Sequence, residues 1–549
     1  MNRLLTSVCL VLGAASVQAQ TAFTTRDSVD INNINAMVLV HGDMWWNPTP
    51  GIQQPHCFFP NGTTKSISSA GAIWMSASDS GGQLHTAAQT YRQNGNDFWP
   101  GPLESDTLTY AESQKWAKIW KVNRSDIYAF LSLTTRDSAT VPGAIWTWPA
   151  KGNIYARGAG NAVLTINTDM APFVDINGNG IYEPALGEYP DVKGDQALWW
   201  VFSDNGPTHN ESHGLPLGVE VHAMAYAYHR GSLIDNVVYY EYKVHNKSAN
   251  SYANFRIGQM ADVDLGDYSD DYIGFDSTRA VGYVYNGHTA DMQYGNSIPM
   301  AGVMMLAVHS DTATVGSGSF MYYNNDYSLI GNPSVTPDFY NYMRSKTRDG
   351  QHIANDMTGP GSTSHGYGSG PWVNFLYTGN PAVSTGWSEC AANNLPGDRR
   401  MIIASGDLKL TAGSSMTLVM AQVVTNPDTT HACGDGHFGI NDLLTVADTA
   451  RLVYGLGTLP EAVPTVAHLQ QLTVYPNPAH DRLVIDNATH NITAGNGVVV
   501  YNAMGQKMMV PVTAHNGKYE ADISTLLPGS YFVHYSDGYT GGSTTFLKQ

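Results

Sequence analysis

Apolar residues in this chain recur mainly at every second position, in short runs broken by clusters of Gly, Pro, Asn and Ser. A period of two places alternate side chains on opposite faces of an extended backbone, so the pattern predicts many β-strands joined by tight turns. A first strand falls at residues 36–40. Residues 69–75 alternate small and large side chains, and 84–91 supply a hairpin partner across Ser80-Gly81-Gly82. Residues 96–102 end that pair, because Pro100 and Pro102 cannot donate to a central ladder. The centre carries the strongest runs. Residues 219–228 alternate throughout, 236–244 are β-branched and aromatic, and 255–260 return after the polar turn at 246–250. Three such runs with short links predict an antiparallel meander. Further strands are expected at 280–285, 302–308, 401–404, 408–410 and 416–424.

Helical spacing is confined to few places. Trp116, Ile119, Trp120 and Val122 recur near a period of 3.6, and Ile127, Phe130 and Leu131 follow a cap at Ser125-Asp126. Two short helices packed on the β body are expected there, with their aromatics in the core. Residues 442–454 place Leu443, Val446, Ala447, Ala450 and Val453 on one stripe, an amphipathic helix. The region that follows has Gly, Pro and Thr without period and reads as a linker over 456–470. Beyond it, short apolar runs punctuated by Pro476-Asn477-Pro478 and Pro528-Gly529 predict a small sandwich of their own. The expected class is all-β: an antiparallel β-sandwich-like main body with a few short helices, plus a small C-terminal immunoglobulin-like β-sandwich. The expected organisation is a leader at 1–19, a body at 20–455 of one or two domains with a candidate boundary near 160–200, the linker at 456–470, and a last domain at 471–549.

Composition moves this β-protein outside the cell. Charged residues make up 13% of the 549, while Gly numbers 55, Tyr 31 and Trp 12, a profile suited to an extracellular β-protein. A formal charge of −18 argues against nucleic acid, since phosphate binding needs Lys and Arg. Residues 1–19 carry Arg3, an apolar run at 10–15 and the small-residue ending Val17-Gln18-Ala19, the anatomy of a signal peptide. No other stretch approaches the ~20 apolar residues that span a bilayer. Loss of Cys9 with the leader leaves Cys57, Cys390 and Cys433. One disulfide and one free thiol are expected, with Cys390–Cys433 preferred because both lie in polar loop sequence.

The C-terminal motifs, in order Leu472-Thr473-Val474-Tyr475-Pro476-Asn477-Pro478, Leu483-Val484-Ile485, Val498-Val499-Val500-Tyr501-Asn502-Ala503-Met504-Gly505-Gln506 and Leu527-Pro528-Gly529-Ser530-Tyr531-Phe532-Val533, resemble the type A sorting domain that Bacteroidota attach to cargo of the type IX secretion system. The resemblance implies export through that machinery and contact with it and its sortase through residues 471–549. It further implies removal of the sorting domain, followed by release or attachment to surface lipopolysaccharide. Stretches at 70–74, 87–102, 175–200, 218–228, 262–276 and 397–400 resemble a recurrent family of large exported Bacteroidota proteins that supplies no enzymatic role to carry over.

Two acidic stretches could carry cation chemistry. In the first, Asp175, Asn177 and Asn179 place oxygen side chains at loop positions one, three and five, with Gly180 at six and the Ile181 carbonyl at seven, which is how a hard cation gathers oxygens in one tight turn. Position twelve is Leu186, so a closing carboxylate would come from Glu183, Glu188, Asp191 or Asp195. In the second, Asp262, Asp264, Asp267, Asp270, Asp271 and Asp276 crowd six carboxylates into fifteen residues, flanked by Arg256 and Arg279. Their mutual repulsion calls for a cation. Structural Ca2+ is expected at both; solvated acidic turns without an ion are the alternative. The pair His209 and His213 departs from His-Glu-x-x-His and lies between Gly/Pro-rich flanks where helical spacing does not hold, so adventitious histidines rather than a zinc site are expected. Trp45, Trp46, Trp99, Trp146, Trp148, Trp199 and Trp200 could stack on sugars, but core packing is the expected fate of most. No catalytic residue is assigned. The expected function is that of a secreted or cell-surface structural or adhesive protein stabilised by calcium. The alternative is an extracellular hydrolase or carbohydrate-binding protein acting on polysaccharide or protein, with extracellular glycans as partners.

Overall fold

The computed structural model describes residues 23–90, 95–104, 107–311, 313–355, 365–367, 370–383, 386–429, 440–456, 472–487, 498–502, 507–515, 518–536 and 541–549. The expected signal peptide, residues 457–470 of the expected linker, and Cys433 lie outside them. Two ten-stranded sheets build the body. The first runs Arg26–Val29, Asn35–Leu39, Asp43–Met44, Ala70–Ser78, Tyr252–Asp262, Arg399–Ser405 and Ser317–Asn324, with short strands branching from it. The second runs Trp120–Asn123, Gln196–Ser203, Val219–Ala227, Val237–Asn246, Ser415–Val424, Ala301–Ser310, Val281–Asn286 and Asp271–Asp276. The pairings are antiparallel throughout these paths.

The Gln196–Ser203 strand shows why the second sheet sits in the middle. Leu198, Trp200 and Phe202 face a core shared with Ile73, Met75 and Ile257 of the first sheet. Trp199 and Val201, pointing the other way, join a second core with Trp116, Ile127, Phe130 and Trp148. Each fully buried large apolar side chain contributes roughly 1.5–3 kcal/mol, so a strand apolar on both faces is stable only between two layers. The outer layer combines short helices with irregular segments between residues 132 and 195. Leu443, Val446, Ala447, Ala450 and Val453 of the Ile440–Gly455 helix line the second core, the stripe expected from their spacing. Trp45, Trp99, Trp148, Trp199 and Trp200 are at most 2% exposed, so these rings fill cores. Among the described residues no helix is long and apolar enough to cross a membrane.

Two local expectations are corrected. The helix beginning at Tyr110 stops at Trp116, and Trp120–Asn123 is instead a strand paired with Gln196–Ser203. Asn123 then caps the next helix, Arg124–Leu131, its backbone N–H donating to Asp126 Oδ2 at 3.3 Å. The central meander also fails at its third run. Val219–Ala227 and Val237–Asn246 pair as expected, but Tyr252–Asp262 crosses to the first sheet, between Ala70–Ser78 and Arg399–Ser405. The turn is closed by the Asn246 side-chain amide donating to the carbonyls of Asn250 at 2.8 Å and Thr411 at 3.0 Å. A register shift between Tyr252 and Phe255, with Asn254 at φ 49°, then turns Phe255 and Ile257 into the shared core from the opposite side.

The described residues between 472 and 548 form two four-stranded sheets, Leu472–Tyr475, Arg482–Asn487, Lys518–Asp522, Val512–His515 and Lys507–Met508, Val498–Asn502, Gly529–Ser536, Gly541–Lys548. Leu472, Leu483, Ile485, Val500, Tyr519, Val533 and Phe546 make a core of their own. Cys390 is disulfide-bonded, and Cys57 is a buried free thiol whose Sγ donates to Gln422 Oε1 at 3.0 Å.

Candidate metal centre

The acidic stretch opens where a central strand of the first sheet ends. Pairing of Tyr252–Asp262 with Arg399–Ser405 puts Asp262 opposite Arg400, 138 residues away in sequence. The loop on each side of that rung supplies one more carboxylate. Asp264 follows two residues on, and Asp398 precedes the neighbouring strand. One carboxylate oxygen from each of Asp262, Asp264 and Asp398 lies within 4.8 Å of the others. Arg400, 2% exposed, donates to Asp398 Oδ1 at 2.7 Å and Asp262 Oδ2 at 3.2 Å. Ser69 Oγ donates to Asp264 Oδ2. Oδ1 of Asp262 and Oδ1 of Asp264 are buried with no neutral or cationic donor, and the two carboxyls lie within hydrogen-bond reach of one another.

Three carboxylates against one guanidinium leave a net charge of −2. Two like charges at this spacing repel by about 3 kcal/mol at an effective dielectric of ~20. Burial, reinforced by Asp264, holds the Asp262 carboxyl well above the usual carboxylate range, and burial lifts Asp264 to about 6. All donors are oxygen, so the arrangement suits a hard divalent cation, which would restore neutrality.

The remaining acids of the stretch divide. Asp271 is buried, with Oδ2 accepting from the Leu265 N–H at 3.1 Å. Asp270 lies at the end of the same turn, buried and raised to about 6 by desolvation and by Asp291. Asp267 Oδ1 accepts from Ser269, and its N–H donates to Asp291 Oδ2 at 2.7 Å. Asp276 stands apart, pairing with Arg279 at 3.6 Å, so the flanking arginine answers that carboxylate.

The 175–191 loop closes on different groups. Asp175 accepts the N–H groups of Gly178 and Gly180, each at 2.7 Å, and both glycines sit at φ 73°, a conformation that needs no Cβ. These bonds hold the Asp175 carboxyl below the usual range. Asn177 and Asn179 donate to Glu183 Oε2 at 3.0 and 2.7 Å. The Ile181 N–H donates to Asn179 Oδ1 at 2.7 Å. Glu188, fully buried, also lies against Asp175 and takes the N–H groups of Ile176 and Glu183. Asp191 is exposed.

His209 and His213 do not converge. His209 sits between Asp97 at 3.4 Å and Asp204 at 3.9 Å, while His213 is exposed with φ 55°. Beside them Glu211 is 8% exposed; Thr90 Oγ1 donates to its Oε1, and Oε2 is buried without a partner. Burial, with Asp97 nearby, lifts its carboxyl to about 7. A folded-state pKa above the unfolded one means the folded protein binds the extra proton, so stability falls as pH rises from about 4.5 through about 7. Glu211→Gln is expected to raise the melting temperature at pH 8 by several degrees and leave it nearly unchanged at pH 4.5. Equal shifts at both pH values would remove the titration argument.

Asp398 and Ser69 escaped the sequence reading as members of the group. Gly397-Asp398-Arg399-Arg400 is visible as a motif, yet nothing local ties it to Asp262; only the strand pairing does.

The architecture is that of a β-protein, a two-sheet body followed by a sandwich with its own core. Residues 473–548 match the family described as "Secretion system C-terminal sorting domain", so the chain ends in a type IX sorting domain and is secreted or attached at the cell surface. That domain interacts with the type IX machinery. No curated protein matches the sequence. A solved structure titled as a polysaccharide lyase is similar at 8% identity, covering 69% of this chain and 38% of that one, with a TM-score of 0.19. The chain therefore spans well under half of that protein, and a likeness at this score carries no argument about activity.

Proposed function

We propose that the body acts outside the cell or on its surface as a structural or adhesive protein whose acidic turns are braced by calcium. The observation that carries this reading is the convergence of Asp262, Asp264 and Asp398 around a net charge that one divalent cation cancels. A cation there ties the end of a central strand to the loop before its neighbour, stiffening long connections that have little apolar surface to bury. The Asp175–Glu188 loop is a further place for the same chemistry. Surface lipopolysaccharide and extracellular glycans are the partners this reading favours.

Removal of calcium is the direct test. Chelation is expected to lower the melting temperature of the purified chain by several degrees, with recovery on adding Ca2+. An unchanged melting curve in metal-free buffer would defeat the bracing argument.

A further inference from the structure

The acidic stretch contains a second polar gap that the three-carboxylate group does not use. Asp271 and Asn286 are directly opposed on paired strands, the edge strand Asp271–Asp276 and its neighbour Val281–Asn286, which places their side chains on one face with Cβ atoms about 5 Å apart. Asn286 is 4% exposed; its Nδ2 faces the Asp270 carboxylate, and its Oδ1 is buried with no hydrogen-bond donor. Asp271 is 1% exposed with Oδ1 unpartnered, and Asp270 is 7% exposed beside the Asn286 amide. A buried amide oxygen left without a donor is costly. In a rung at a sheet edge that cost calls for a ligand.

The surroundings specify the ligand's charge. The side chains acting on Asp271 are Asp264, Asp270 and Asp291, all acidic. Those acting on Asp270 are Asp291, Asn286, Asp267 and His288. Asp291 is already engaged, its carboxylate accepting the N–H groups of Asp267, Gln293 and Tyr294. No Lys or Arg is among these neighbours, whereas Arg400 serves Asp262 and Asp398.

We propose that Asp270, Asp271 and Asn286 bind a second divalent cation of the calcium class, distinct from the one at Asp262, Asp264 and Asp398. Two carboxylates and one amide oxygen supply a formal charge of −2 and at least three oxygens, and water or main-chain carbonyls complete a coordination number of about six to eight. The amide presents Oδ1 to the ion. The second ion fastens the edge rung of the second sheet just where the first fastens the end of the strand before it. The inference rests on the reading that these acidic turns take cations, but it concerns a different set of ligands.

Calcium stoichiometry of the full chain, measured by titration calorimetry with CaCl2 alone and by elemental analysis after desalting, separates the two sites. Asp271→Asn is expected to lose one ion per chain, Asp264→Asn to lose one, and the double variant to lose two. Asn286→Leu should weaken the second ion by tenfold or more, and Asn286→Asp should keep it. Should Asp271→Asn fail to fold, Asp270→Asn and the Asn286 variants report on the same ion. If Asp264→Asn loses an ion while the Asp270, Asp271 and Asn286 variants keep wild-type stoichiometry and affinity, the second site is refuted and the first stands. If each single variant loses the same ion as the double, there is one shared site and the proposal is overturned. If no variant changes the count, both readings fall.

Discussion

Deletion of residues 472–549 is expected to leave a folded body that crosses the inner membrane and stays in the periplasm. The physical ground is the separation of cores. The apolar cluster of the tail draws only on its own residues, Leu472 through Phe546, and neither cluster of the body includes a residue of the tail. Removing the tail therefore exposes little of the body's interior and removes no strand from either large sheet. What is lost is the surface presented by the domain that matches the sorting family at 473–548. Fractionation and protease accessibility of intact cells read the result: the truncated chain should be absent from the surface and medium, yet resist limited proteolysis after periplasmic extraction as well as the full chain does. Normal surface appearance of the truncated chain would show that the body carries its own address. A degraded body would show that the tail is needed for folding.

The strands of this protein are legible because their information is local. Alternation at 219–228 and the hairpin across Gly81-Gly82 appear as Val219–Ala227 and as the pairing of Ala70–Ser78 with Leu84–Ala88, and the stripe at 442–454 appears as the Ile440–Gly455 helix. Partners are another matter. Tyr252–Asp262 has the pattern of a third meander strand, and only the turn geometry at Asn246 and Asn254 sends it to the other sheet. Trp120 and Val122 fit a helical period and a strand period equally over so short a run; the open edge of Gln196–Ser203 decides between them. The candidate centre follows the same division. The excess of acid at 262–276 is visible in the letters, but Asp398 enters through a β-rung spanning 138 residues, and Asp276 leaves through Arg279 three residues on. Charge density along the chain locates acid; sheet register decides which acids meet.

That register makes Arg400 the most consequential single side chain of the region. Arg400→Ala is expected to destabilise the body by about 3–5 kcal/mol, the cost of removing one partner from a buried ion pair and leaving the other charge uncompensated. The guanidinium is 2% exposed and Asp262 is 1% exposed, so water cannot replace the lost interaction. The net charge of the group would move from −2 to −3, which one divalent cation no longer cancels. Arg400→Lys keeps the charge but not the two-armed geometry that reaches Asp262 and Asp398 together, and an intermediate loss is expected. The contrast is Arg482→Ala in the tail: Arg482 pairs with Glu520 at 2.9 Å but its side chain is 77% exposed, and a loss of no more than about 1 kcal/mol is expected. Denaturant and thermal unfolding of the three variants, each with and without Ca2+, supply the comparison. If Arg400→Ala unfolds like Arg482→Ala, the carboxylates at the end of the Tyr252–Asp262 strand are neutralised by cation or proton alone, and Arg400 is only packed among them.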